Sequence, residues 1–411
     1  MDRANLTTRA TEIADVVHNL AGELFSQGIP EPSFEHGLPD VLQTDAPDSN
    51  ALAARIKLLG LLDELRDLLT DPALLGSPEL RNPSISILAL VRLKIFGNFP
   101  SEGTTIKDLA ERVNRNENIV HRLMSHAATY HIKPDFFIHT AGSRVLTENE
   151  GMRSWMLVGL GETMPGALKI AEAVSQNNDS EEPQHSGWNI QNNTDLPVFQ
   201  ALATMPERAT IFAKAMSWHA QLPGYSPQYL LDHFPFGSGD ITVVDVGGGI
   251  GHIAYALVNH CPTVQCIVQD RPEVILQAEQ ALPANLQGRI RFQPHDFFQD
   301  QPVHGADVYL LRHVLHDWSN KYARKILQAL IPALNPGAKV VLNDRIIPGY
   351  GGTLPERADY DLYMLGLQNS QERTPDDWKS LFRDTDSRFN VTKISQPSKS
   401  YLSIMEVTWE G

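Results

Sequence analysis

The rhythm of apolar residues changes partway along this chain. Leu52, Ile56, Leu59, Leu62, Leu65 and Leu69 recur at three- and four-residue steps, the spacing that lines one face of an α-helix. Residues 85–96 are apolar on nearly every face, which predicts a helix buried in a domain or a dimer interface. Residues 105–113 and 117–129 read as two further helices around a turn at 114–116, with Thr104 or Thr105 as N-cap. Residues 136–146 read as a β-like wing behind them. A polar loop at 175–187 precedes helices over 206–218 and 227–233. From Asp240 the pattern alternates: the runs ITVVDV, VQCIVQD, RIRFQPHD, DVYLLRH and AKVVLND are separated by helical stretches, among them those beginning at Gly251, Pro272 and Lys321. Such alternation predicts a parallel sheet covered by helices on both faces. Two strand-like runs, 389–395 and 402–409, close the chain.

Composition narrows the partners. The 411 residues suffice for two domains, and 42% hydrophobic with 20% charged residues is ordinary for a globular chain. The net charge of −15 argues against a nucleic-acid partner, because phosphate binding needs clustered Lys and Arg. The second helix of the helix-turn-helix offers only Arg122 with His121 and His126, so a dimerisation and substrate-lid role is expected there rather than DNA binding. Cys261 and Cys266 lie in or beside apolar runs and read as buried free thiols. The N-terminus lacks a basic-then-apolar signal pattern and no run reaches membrane-spanning length, so a cytoplasmic location with no membrane partner is expected.

Val243-Val244-Asp245-Val246-Gly247-Gly248-Gly249-Ile250-Gly251 is a buried strand entering a glycine turn and then a helix. Lacking Cβ atoms, Gly247, Gly248 and Gly249 let backbone approach a ligand at the carboxyl end of the first strand. Asp270 ends the second strand, where a carboxylate can accept both hydroxyl hydrogens of a ribose. Asp296 follows the third strand, where it can receive an adenine amino group, with Phe297 packing on the ring. A strand-end Asp is commonly a helix N-cap. Both acids together with the glycine turn point to adenosine recognition.

Taken together, VVDVGGGIGH, IVQDRPEVI, PHDFF, LLRHVLHDWSN, LNDRIIP and DLYMLGLQNSQERT resemble the cation-independent O-methyltransferases of plants and fungi, the caffeate and flavonoid type. The resemblance covers about residues 80–411. It implies an α/β, Rossmann-like catalytic domain over 236–411 behind an all-α, winged-helix-like domain over 49–235; ahead of them residues 1–48, a helical opening and a Pro-rich polar stretch, read as a helix and extended arm. It implies S-adenosylmethionine as cofactor, with Gly247, Asp270, Asp296, Phe297 and Arg312 on it, and homodimers interlocked through the front half.

Methyl transfer to oxygen needs an aligned acceptor and a base for its proton. A phenol ionises near pH 10 and His is the side chain best poised to help at neutral pH. The candidate is His316, which follows the fourth strand and so shares the cofactor's sheet edge. Its neighbour His313 lies three residues before it, and such a pair can equally pack or bind metal. No carboxylate or cysteine cluster with ligand spacing surrounds the pair in sequence, so no metal is expected. By resemblance His316 corresponds to the family's base, oriented by Asp344 and Glu372. Asp344 stands where Glu is common, one methylene shorter. Asp317 reads as an alternative helix cap. Met164, Phe212, Met216, Tyr363, Met364 and Asn369 are expected to line a small aromatic or polyketide acceptor, although the Phe and Met residues fit ordinary core equally.

Some fungal enzymes similar to this family keep S-adenosylmethionine yet catalyse pericyclic or dehydration reactions. His131 stands where many members carry Arg, and with Arg312 and His313 it is placed to polarise a substrate carbonyl. A helix-end histidine satisfied by backbone is the alternative for His131. Retention of His316 and Glu372 keeps methyl transfer ahead.

Overall fold

The computed structural model describes residues 6–33, 37–43, 50–69, 83–127, 136–236, 239–347 and 355–411. The chain divides into two compact units, Met1–Leu160 with Lys214–Trp218, and Gly161–Ala213 with His219–Gly411. The change in composition at 235/236 is therefore not where the fold divides. Leu230, Leu231, Phe234 and Phe236 share one apolar core with Val243, Ile253 and Leu257 of the sheet region, which binds the stretch before 236 to the first strand and its helix.

In the first unit, helices Leu6–Ser26 and Asn50–Leu69 pack together over Leu24, Leu42 and Ala51. The latter helix turns Leu52 and Leu61 inward but leaves Ile56, Leu59 and Leu62 close to half exposed and Leu69 66% exposed. The run expected as one helix over 85–96 forms Pro83–Arg92 only. Lys94 takes a left-handed φ of 58° and a 3-10 turn, Phe96–Asn98, comes next. Helices Ile106–Arg112 and Glu117–Ala127 form the helix-turn-helix, and Thr105 caps the first by accepting from the Asp108 N–H at 3.1 Å.

The expected wing is corrected. Among the described residues only β1 (Thr104–Thr105) and β2 (Phe136–Phe137) pair there, antiparallel, and Ala141–Glu148 is helical. Thr140 and Ser143 make a reciprocal capping box there. Ser143 N–H donates to Thr140 Oγ1 at 3.2 Å, and Thr140 N–H to Ser143 Oγ at 2.9 Å. The cap starts a helix and Leu146 anchors it in the local core.

The second unit carries a seven-stranded sheet: β3 (Ile241–Val246), β4 (Val264–Asp270), β5 (Ile290–Pro294), β6 (Val308–Arg312), β7 (Lys339–Asp344), β8 (Phe389–Ser395) and β9 (Ser403–Trp409). Their order is β5-β4-β3-β6-β7-β9-β8, with β3 to β7 parallel and β9 antiparallel to both neighbours. Successive β3 side chains feed opposite faces: Val243 joins the core with Leu257 and Val268, and Val244 joins the core with Leu327 and Trp378. Chain order reverses between β3 and β6, so their carboxyl ends open a crevice. Among the described residues, no helix is long and apolar enough to cross a membrane.

Candidate active site

The crevice begins with the glycine turn after β3. Gly247 and Gly249 have φ of 71° and 58°, a region costly for residues with a Cβ. Gly247 and Gly248 donate to the Gln269 carbonyl at 2.8 and 3.0 Å, pinning the turn to β4. A Cβ on Gly248 would lie 2.5 Å from Asp245 Oδ2, and one on Gly247 would lie 2.9 Å from Val314 and 3.8 Å from the Phe297 ring. Asp270 Oδ2 accepts the Gly249 N–H at 2.9 Å and its Oδ1 that of Arg271 at 2.8 Å, each oxygen keeping acceptor capacity. Asp296 is exposed and accepts the Phe298 N–H at 3.0 Å. Behind the turn, Asp245 is buried and its Oδ2 has no hydrogen-bond partner among the described residues. Burial lifts this carboxyl to about 7. Bare backbone, strand-end carboxylates and an orphaned buried acid fit an adenosyl ligand with a cationic end.

His316 lies in a short turn after β6, ringed by acids. Its Nδ1 hydrogen-bonds Glu372 Oε1 at 3.0 Å and lies 3.8 Å from Asp344 Oδ1, while Nε2 lies 3.7 Å from Asp317 Oδ1. Asp344 thus stops short of a hydrogen bond to the ring, although its Oδ2 takes the His316 backbone N–H at 3.4 Å. Burial alone would lower the imidazole, but Asp344, Asp317 and Glu372 outweigh it and raise it to about 10. Asp344 is itself raised to about 6 by burial, with His316 pulling the other way. Asp317 takes a hydrogen bond from Gln368 Nε2 at 2.9 Å. The absence of a ligand set around the histidines, expected from sequence spacing, does not hold in space. His313, His316 and Asp344 each offer a ligand atom within 4.8 Å of the others.

On the opposite wall the sequence flags His313 and Arg312 but gives no hint of Tyr225, His219 or Tyr360. His313, at a left-handed φ of 54°, holds its ring 5.3 Å from that of His316 and 5.4 Å from that of Tyr225, tilted 49° to each. His219 lies 4.2 Å from the Tyr225 ring and its Nε2 meets Tyr360 OH at 3.4 Å. Arg345 donates to the Tyr225 hydroxyl and stands 4.0 Å over the Tyr360 ring. Arg312 turns its guanidinium to Asn343 Oδ1 and the Tyr225 carbonyl. Burial pushes His219 down to about 4 and His313 well below its usual range, with nearby cations adding to both.

Other expected acceptor walls scatter. Met364 is buried on helix Pro355–Gln368, and Tyr363 and Met164 are half-buried. Phe212 packs edge-on to Phe199 at 6.0 Å within an apolar cluster around Trp188, the ordinary-core alternative. Met216 falls in the first unit. Asn369 gives both amide hydrogens to the polar loop, reaching Ser180 O at 2.7 Å and Glu182 O at 3.1 Å. His131 lies outside the described residues.

A strand order of this kind, a glycine turn at its switch point and a histidine-acid cluster beside it define a class of nucleoside-dependent transferase. Residues 170–386 match the family model of the O-methyltransferase domain. The chain is 34% identical over 401 residues to the grayanic acid biosynthesis cluster O-methyltransferase of Cladonia grayi, covering 94% of this chain and 84% of that one. It is 32% identical to the O-methyltransferase pyvH of Aspergillus violaceofuscus, end to end on both chains. A solved structure described as a pericyclic reaction enzyme shares the fold at TM-score 0.74 and 20% identity, over 98% of this chain and 100% of that one. The chain belongs to the O-methyltransferase family. It is a methyltransferase, and its cofactor is S-adenosyl-L-methionine.

Proposed function

We propose that the enzyme methylates a hydroxyl of a small aromatic or polyketide-type acceptor, with His316 receiving the hydroxyl proton. The observation that carries this is the 3.0 Å Glu372–His316 hydrogen bond in a turn directly after the crevice strand β6. When bound, S-adenosylmethionine supplies an electrophilic methyl group. Gly247, Gly248, Gly249, Asp270, Asp296 and Phe297 form its cradle, with Arg312 behind. Glu372 fixes the imidazole's orientation from Nδ1, leaving Nε2 for the acceptor, and the three acids stabilise the imidazolium once formed. Occupation of Nδ1 by Glu372 supports a metal-independent base. Aligning acceptor oxygen and methyl supplies about 7–11 kcal/mol of barrier lowering, more than the base's roughly 10²–10⁴-fold. The Cladonia relative's name supports an acceptor from secondary metabolism. The half-exposed Ile56, Leu59 and Leu62 support a homodimer through the front half, which light scattering tests.

The test incubates enzyme and labelled S-adenosylmethionine with a panel of hydroxylated aromatics and measures S-adenosylhomocysteine. His316→Ala is expected to slow turnover about 10²–10⁴-fold with cofactor affinity unchanged. Full turnover in that variant overturns the base. A second reading, a cofactor-retaining pericyclase or dehydratase, is favoured by one observation, the strained His313 with Arg312 beside it. Isomerised product with intact S-adenosylmethionine would establish it.

A further inference from the structure

The wall facing His316 holds two guanidiniums, Arg312 and Arg345, and among the described residues no carboxylate makes an ion pair with either. Arg312 donates only to neutral oxygens, those of Asn343 and the Tyr225 backbone. Arg345 is half-buried, and among the described residues no carboxylate forms an ion pair with it. Its guanidinium is held in place by the Tyr225 hydroxyl and the Tyr360 ring, which fix direction without neutralising charge. His219 and His313 are neutral beside it, pushed down by burial and then by these cations. Glu372 acts on Arg345 only from beyond ion-pair distance, so the guanidinium's donors are left for an anion that arrives with the ligand.

Position selects the ligand. From His316 the wall runs through His313 to Tyr225, two ring contacts of 5.3 and 5.4 Å, and Arg345 hangs on the Tyr225 hydroxyl. One aromatic acceptor laid along that wall presents its hydroxyl to His316 and its far substituent to Arg345. We propose that Arg345, oriented by Tyr225 and Tyr360, binds a carboxylate on the acceptor, so that the enzyme selects acid-bearing aromatics over neutral phenols. Arg suits this because its planar fork meets a carboxylate with two donors. The inference rests on the reading of this crevice as the acceptor site.

The test uses full-length enzyme saturated with S-adenosylhomocysteine, which has no methyl to give, and titrates benzoate and benzamide by calorimetry or ligand-observed NMR. Benzoate is expected to bind about 10- to 100-fold more tightly. Arg345→Met is expected to bring the ratio near one while S-adenosylhomocysteine affinity stays, and Arg345→Lys to restore part of it. Equal binding of the two probes, no benzoate binding, or a preference that survives Arg345→Met overturns the proposal. If Arg345→Met does not fold, Tyr225→Phe is read instead, and an unchanged preference there overturns it. Because no methyl transfer enters this readout, a failed turnover assay would remove the methylation reading and leave this one standing.

Discussion

Replacing Asp245 by Asn tests whether a buried carboxylate answers the cationic end of the cofactor. Burial raises the Asp245 carboxyl from 3.8 to about 7, against a downward pull from Arg312. The folded apo chain therefore keeps this proton between about pH 4 and 7 while the unfolded chain loses it. Its contribution to stability falls as pH rises through that window and is flat above it. At 1.36 kcal/mol per tenfold, the rise from 3.8 to about 7 costs the ionised native state about 4 kcal/mol. A cation needs the ionised form, so protons weaken binding by the factor 1 + 10^(7 − pH), about 11 at pH 6 and about 1.1 at pH 8. Wild type is thus expected to bind S-adenosylmethionine about tenfold more tightly at the higher pH. Asp245→Asn keeps the shape and removes the charge. It is expected to lose this pH dependence, bind about 10- to 100-fold more weakly near pH 8, and melt higher than wild type without cofactor. Calorimetric titrations of both proteins across this range cancel groups common to both, such as Asp344 at about 6. Parallel pH slopes for the two proteins would refute the reasoning.

Gly248→Ala places a Cβ 2.5 Å from Asp245 Oδ2 inside a packed turn, so cofactor binding in a calorimetric titration is expected to fall at least about 100-fold. Wild-type affinity would mean that the turn yields. Thr140→Ala removes half of the capping box and is expected to lower unfolding free energy by about 1 kcal/mol, read from the denaturant midpoint. Glu372→Gln removes one of three acids that hold His316 up at about 10, so the ascending limb of the kcat/KM profile moves to lower pH. The sign is fixed because the neutral imidazole acts and its share grows as pH rises through that value. An unmoved limb would assign it to another group.

Much of the sheet is legible in the sequence because parallel strands covered on both faces read as unbroken apolar runs. ITVVDV is β3 residue for residue, and VQCIVQD is β4. Strand-end placement then brings His316, Asp344 and Glu372 to one point, although Glu372 lies 56 residues from His316. The wing fails because apolar pairs at Phe136–Phe137 and Val145–Leu146 imitate a strand, whereas the capping signal at Thr140 and Ser143 between them starts a helix. Tyr225, His219 and Tyr360 give no signal, since loop and helix side chains take their direction from tertiary packing. Arg345 has one: it comes directly after Asp344 at a strand end, where successive side chains point to opposite sides.

Raising His316 to about 10 matches it to a phenol, which ionises near 10. Handover of the proton then becomes nearly thermoneutral, where an imidazole at 6.5 would face about 5 kcal/mol. The stronger base is scarcer, however. Near pH 7 only about one imidazole in a thousand is free, which costs about 4 kcal/mol and nearly cancels the advantage. Base strength therefore cannot be the acids' main contribution. The same cluster instead stabilises the imidazolium that forms as the acceptor's proton arrives. Neutral His313 and His219 on the facing wall add no second charge beside that imidazolium. The three acids then act by fixing where a cation stands, and alignment of oxygen with methyl carries the larger share of the rate.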